Sequence, residues 1–281
     1  MKTALHRLSE PADLLLARLE DAATRDERAE KNVKIGCGAL IALVIGGFFG
    51  LAALADRTGT NLVFLGMLAV VPVIVFIVRE TGHDVDDRKL SAATELVRTL
   101  RADVPAAQNI QLEIDFREYT KSGTKVTDPA QPKVKGVTIE KYQQKWLEVR
   151  TTLADGTQID ATITDRISRK SKPKRKYTKV KETFVSDVAL ALRLDKRYGE
   201  GEAIAERMIR GPELDNCEER ARTGKGRNLY VAVRTPSGVR VNSRRSPTQF
   251  HSVERLGSGR TVLALLSWVY DGIARGARKA A

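Results

Sequence analysis

Two stretches of the chain show no hydrophobic period because they are hydrophobic throughout. Residues 33–55 read VKIGCGALIALVIGGFFGLAALA, with no charge after Lys34, and residues 61–78 read NLVFLGMLAVVPVIVFIV, with none. At a helical rise of 1.5 Å per residue, roughly 18 to 21 apolar residues cover about 27 to 31 Å, the thickness of a bilayer's hydrocarbon core. A helix on the surface of a soluble core keeps a polar face, and these stretches keep none. The pattern therefore predicts two transmembrane helices. Only Asp56, Arg57, Thr58, Gly59 and Thr60 lie between them, so they form an antiparallel hairpin over 33–79. A cleaved signal peptide fits less well, since the apolar stretch is too long and starts too far into the chain.

Gly38, Ala42, Gly46 and Gly50 recur every four residues, which places them on one ridge of small side chains where another helix can approach closely. The partner is either the second span or a second copy of the chain. Pro72 is expected to bend the second span. Arg25, Arg28, Lys31 and Lys34 precede the hairpin, Arg79, Arg88 and Lys89 follow it, and Arg57 alone sits in the loop. Positive flanks stay inside, so both termini and the soluble part are expected in the cytoplasm, at the plasma (inner) membrane.

Ahead of the hairpin, Ser9, Glu10 and Pro11 read as a helix start and Leu15, Leu16 and Leu19 as a short apolar stripe. Behind it, Leu90, Ala93, Leu96, Val97 and Leu100 fall at helical spacing. From residue 109 the period becomes two: Ile110, Leu112, Ile114 and Phe116 alternate with polar residues. Leu147, Val149, Thr151 and Leu153 lead through Asp155-Gly156 to Ile159, Ala161, Ile163 and Ile167, a hairpin signature. A further run holds Thr178, Val180, Phe184, Val188, Leu190 and Leu192 on one face. Leu229, Val231 and Val233 then lead through Thr235-Pro236-Ser237-Gly238 to Val239 and Val241, which reads as another hairpin. Residues 133–139 offer an additional strand and 202–210 a short helix. Val262, Leu266, Val269 and Ile273 mark a C-terminal amphipathic helix.

The expected fold is thus a membrane α-helical hairpin joined to an antiparallel β-rich soluble domain, a sandwich or half-open barrel, with a C-terminal amphipathic helix. The divisions are 1–32 (cytoplasmic amphipathic helix), 33–79 (hairpin), 80–105 (connecting helix), 106–260 (basic β-rich domain) and 261–281 (C-terminal helix).

Charge sharpens this picture. Of the net +13, about +12 lies after residue 80, so the β-rich part is cationic and suited to anionic partners. The charge concentrates in Arg166 to Lys181, RISRKSKPKRKYTKVK, with nine Lys/Arg and no acid. Lys172-Pro173-Lys174-Arg175-Lys176 would form a turn, flanked by Arg169, Lys170, Lys179 and Lys181. The segment fits either a solvated, solubilising tip or a surface for inner-leaflet anionic lipid, an acidic protein or nucleic acid. His83, Asp84, Asp86 and Asp87 could hold a cation, but they read more simply as helix-start residues, and no metal site is assigned. Two distant cysteines, Cys37 and Cys217, point to no disulfide. No CxxC, HExxH, GxSxG or GxxxxGK[ST] motif occurs. Gly224-Lys225-Gly226, Gly257-Ser258-Gly259, His251 and Cys217 have no recognisable partners, and no cofactor is implied. The sequence thus favours a membrane-anchored binding or scaffold module over a subunit of an oligomeric channel or secretion assembly, and either of these over an enzyme.

Overall fold

The computed structural model describes residues 4–58, 70–76, 86–127, 136–209, 214, 216–243, 246–251 and 257–280, with side chains omitted at 46–58, 240–251 and 277–280. The chain divides into two compact units, one holding Glu20–Asp87 and the other Leu5–Leu19 with Arg88–Ala281.

The larger unit is built on one antiparallel sheet. Its strands are β1 (Leu5–Pro11), β2 (Asn109–Asp115), β3 (Thr124–Val126), β4 (Thr138–Thr152), β5 (Gln158–Lys174), β6 (Tyr177–Arg193), β7 (Glu218–Lys225), β8 (Asn228–Arg234), β9 (Gly238–Ser243) and β10 (Ser246–His251). The main path runs β1-β2-β4-β5-β6-β8-β7. Three long strands, β4, β5 and β6, form the spine, and each outer side of that spine is flanked by two short strands placed end to end. On the β4 side, β3 pairs with Lys141–Gln143 and β2 with Leu147–Arg150. On the β6 side, β9 pairs with Val180–Phe184 and β8 with Asp187–Arg193.

One face of the sheet carries the core. Ile110, Leu112, Leu147, Val149, Ile163, Val188, Leu190 and Val231 are all essentially buried, as strict alternation requires. At Trp146 the β4–β5 register shifts, so that Trp146 and Leu147, adjacent in sequence, both turn inward. Helices cover this face. They are the first turns of α1 (Ala12–Thr58), of which Ala12–Leu19 belongs to this unit, together with α2 (Asp87–Asp103), the short α3 (Tyr119–Ser122) and α4 (Gly201–Arg207), and α5 (Gly259–Ala280). Leu15 and Leu19 of α1, Leu96 and Val97 of α2, and Val262, Leu265 and Val269 of α5 are fully enclosed, each contributing roughly 1.5–3 kcal/mol. A methyl on Gly259 would strike the Ala92 carbonyl oxygen at 2.5 Å, and one on Gly257 would meet Ser186, Ile163 and Val188 at 3.0 Å or less; α5 is seated that closely on α2 and the sheet.

Several expectations need correction. The domain is a single helix-covered sheet, not a two-sheet sandwich. Ser9, Glu10 and Pro11 end strand β1, which pairs with β2 along its whole length, and the helix begins at Ala12. That helix continues to Thr58. The helix after residue 86 is no stand-off connector, since Leu90, Ala93, Leu96 and Leu100 lie in the core. The C-terminal helix needs no such correction: of its two expected placements, on the β domain or in a membrane interface with Trp268 and Tyr270 at headgroup level, the burial of Trp268 fits the first. Thr235-Pro236-Ser237 is no hairpin turn, because β8 and β9 both pair with β6. Thr235 bridges the gap between them, donating its N–H to the Ser186 carbonyl (2.9 Å) while its Oγ1 accepts from the Ser186 N–H (3.1 Å). Proline, lacking an N–H, is tolerated where the ladder breaks.

Among the described residues no helix is long and apolar enough to cross a membrane. The apolar part of α1 has described side chains only over 35–45, and residues 70–76 are helical. Gly59, Thr60, most of 61–78, Arg79, His83, Asp84 and residues 133–135 lie outside the described residues.

Candidate anion-binding hairpin

Strands β5 and β6 close with Lys174 opposite Tyr177, leaving only Arg175 and Lys176 as the turn. Lys172, Pro173 and Lys174, expected in the turn, are strand residues. Because side chains alternate along a strand, the register sorts the cationic run by face. Lys170 lies opposite Lys181, Lys172 opposite Lys179, and Lys174 opposite Tyr177. Five lysines and one tyrosine thus share one face of the ribbon. Like charges directly opposite each other destabilise a sheet, and here two such pairs follow each other. None of these five lysines has an acidic partner among the described residues.

The ribbon also projects. Pairing of β4 with β5 ends at Thr138–Ser171, and the described pairing of β9 with β6 ends at Asn242–Val180. Every residue from Lys172 to Lys179 is exposed.

Arg169 belongs to the other face. Its Nε lies 3.8 Å from Glu182, and Glu182 also accepts a short hydrogen bond from the Tyr119 hydroxyl. Tyr119 in turn meets Tyr142 and Phe184 edge-on, at centroid distances of 5.2 and 6.1 Å. Burial, reinforced by Glu182, pushes the Tyr119 hydroxyl pKa up. This cluster props the root of the hairpin, and sequence reading missed it because α3 spans only four residues.

The lysine face continues into the uncovered face of the sheet, where several cations are paired with carboxylates, Lys145 with Glu148 among them. Arg7 pairs with Glu113 at 2.9 Å, Arg150 with Asp160 at 2.8 Å and with Glu148, and Arg234 and Arg166 with Asp187, the first at 2.7 Å. Burial raises the Asp187 pKa, but the hydrogen bonds from Arg234 and Arg166 outweigh it and hold the carboxyl below its usual range. Farther from the tip this face hollows into a groove of about 790 Å³, floored by Gln111, Arg150, Asp160, Ala191, Tyr230 and Thr223, which form one row across six strands. A buried pair sits on the opposite side of the sheet. Arg88 contacts Asp165 and lies 5.1 Å above the Trp146 ring, and Ser186 Oγ donates to Asp165 at 2.6 Å.

The other candidates resolve as follows. Asp87 begins α2, and its carboxylate lies within 4.8 Å of Asp26 and Glu30. Burial, a hydrogen bond with Asp26 and the charges of Asp26, Glu30 and Asp86 push Asp87 up to about 6. Gly38 and Ala42 are exposed, and a methyl added at Gly38 would meet nothing within 4 Å; the side-chain positions of Gly46 and Gly50 lie outside the description. Gly224 is a packing residue, since a methyl there would lie 2.2 Å from the Gly201 carbonyl carbon. Gly226 forms the following turn with φ +56°. Neither Cys37 nor Cys217 is in a disulfide.

Compared with known proteins, the chain matches no family model, no curated protein and no solved structure.

Proposed function

We propose that this chain is a membrane-tethered binding module. Its apolar segments at 33–55 and 61–78 hold it in the inner membrane as a two-helix hairpin with both termini in the cytoplasm, and its β5–β6 ribbon presents a lysine face to an anionic partner. The observation that carries the binding half is the register of Lys170–Lys181 and Lys172–Lys179. A solubilising tip needs charge but gains nothing from stacking like charges opposite each other on one face. Electrostatic complementarity does gain from it, because closely spaced cations sum their potentials toward a single surface. The tethering half is supported by large apolar side chains exposed on helical backbone among the described residues, including Ile35, Ile41, Val44, Ile45, Val71 and Val75, each more than half exposed. Scattered singly such residues need no explanation, but a run of them along one helix, as at Ile41, Val44 and Ile45, marks an interaction surface.

The tethering is tested by cysteine accessibility in intact cells, with Cys37 and Cys217 replaced by serine. A cysteine at Thr58 should react with an impermeant reagent and one at Lys174 should not. Labelling at Lys174 from outside, or release of the chain from membranes by alkaline washing, overturns this reading.

The open space at Gly38 favours a second reading of the same helix, in which the ridge Gly38, Ala42, Gly46 and Gly50 joins copies of the chain. A mass measurement in detergent decides it, with a monomer excluding the ridge as an oligomer contact.

A further inference from the structure

We infer that the anionic partner of the lysine ribbon is the bilayer surface itself, with Tyr177 seated at headgroup depth; this rests on the membrane-tethered reading above. Three features select lipid over a nucleic acid or an acidic protein.

The first is the choice of cation. The ribbon face is all lysine, namely Lys170, Lys172, Lys174, Lys179 and Lys181, while Arg150, Arg166 and Arg234 on the adjoining sheet face are engaged with carboxylates. Arginine's planar fork suits bidentate recognition of a fixed phosphate or carboxylate, whereas lysine is a hydrated point charge on a flexible stem. A fluid layer of anionic headgroups offers diffuse charge and no fixed geometry, which is what lysine serves.

The second is the ring content. Sequence-independent binding of single-stranded nucleic acid uses several aromatic platforms, and this ribbon face has Tyr177 alone, 40% exposed. A single tyrosine at a projecting tip, flanked by cations, instead matches residues that settle at a membrane–water interface.

The third is the back of the ribbon. Opposite the lysines stand Ser171, Pro173, Thr178 and Val180, all uncharged. Along the paired strands from Ser171 to Val180, outside the turn residues Arg175 and Lys176, the tip therefore carries charge on one face and none on the other, so it can lie on a charged plane with its uncharged side turned away. An acidic protein groove would enclose both faces and gain nothing from this asymmetry. Each basic residue near an anionic surface strengthens binding by roughly fivefold.

The test uses the full chain, carrying Cys37→Ser and Cys217→Ser, with Lys176→Cys bearing an environment-sensitive fluorophore; this change leaves the five-lysine face intact. The protein is reconstituted into phosphatidylcholine vesicles with or without phosphatidylserine. With phosphatidylserine the emission should shift to the blue and be quenched by brominated lipid, and raising salt should reverse both. Lys170, Lys172, Lys179 and Lys181 all changed to Gln should abolish the shift while the chain still floats with both vesicle types. Identical emission in both vesicles overturns the lipid assignment. So does displacement of the ribbon from phosphatidylserine vesicles by a single-stranded oligonucleotide at matched phosphate concentration. Failure to float with either vesicle type is a separate outcome, which removes the tether on which the inference rests.

Discussion

Lys172 and Lys179 face each other across the β5–β6 ribbon with no carboxylate among the described residues to relieve them. Such a pair costs stability, so a change that helps folding should harm function. Lys179→Glu creates an opposite-charge pair and should stabilise the domain by about 0.2–1 kcal/mol, while weakening the binding of anionic vesicles by at least severalfold. Denaturation midpoints and vesicle flotation on the same preparations read the two effects. A variant that loses stability and keeps its binding contradicts the assignment of this face.

The root of the ribbon should be sensitive for a different reason. Tyr119→Phe leaves the ring packed on Tyr142 and Phe184 but removes the hydroxyl that Glu182 accepts from. Loss of a hydrogen bond to a charged group costs about 1.5–3 kcal/mol, discounted here because the Glu182 carboxylate is only part-buried. A loss nearer 1 kcal/mol in urea denaturation is expected, and no measurable change would show that the cluster does not support the hairpin.

Gly224→Ala should be among the most damaging small substitutions. The added methyl would meet the backbone of Gly201 and Glu202 at 2.2–2.5 Å, and backbone cannot swing aside as a flexible side chain can. A loss of roughly 1–3 kcal/mol is expected, with α4 loosened from β7 and hydrogen exchange in 201–207 accelerated. The neighbouring substitution Lys225→Ala should be nearly neutral by the same measurements.

The carboxylates Asp26, Glu30 and Asp87 make the smaller unit pH-dependent. Asp87 is raised to about 6, above its unfolded value, so the folded state binds the proton more tightly than the unfolded one. The penalty of holding Asp87 ionised is present above pH 6, shrinks as pH falls through 6 and is gone below the unfolded value near 4. Thermal stability of this unit should therefore rise between pH 7.5 and 5, and Asp87→Asn should flatten that rise. A wild-type profile that falls across this interval contradicts the sign.

Much of the sheet was legible because buried strands impose strict alternation: Ile110, Leu112 and Ile114 of β2 and Val188, Leu190 and Leu192 of β6 are where the period places them. The turn at Asp155-Gly156 was legible through Gly156, whose φ of 84° favours glycine. Strand β7 was not, because GLU-rich EERARTGK shows no apolar alternation and is held as a polar edge by pairing with β8. Strand β1 was hidden behind Pro11, which serves equally as a helix start and as the end of an edge strand. The cationic run was visible as composition, but its one-sidedness depends on register, and register follows from a turn of two residues where sequence suggested five. Tyr119 and Glu182, 63 positions apart, carry no joint sequence signal at all.

The central claim is that the five-lysine face, and not the overall positive charge of the chain, engages an anionic surface. The most direct measurement is the salt dependence of binding between the full chain in uncharged detergent micelles and phosphatidylserine-containing nanodiscs, with and without Lys170, Lys172, Lys174, Lys179 and Lys181 changed to Gln. Wild-type binding should fall steeply as added salt shortens the Debye length from about 10 Å at 0.1 M to about 3 Å at 1 M. The variant, equally folded by circular dichroism and no less stable, should bind at least tenfold more weakly with a shallow salt dependence. Equal binding and equal salt dependence in the two proteins would contradict the claim.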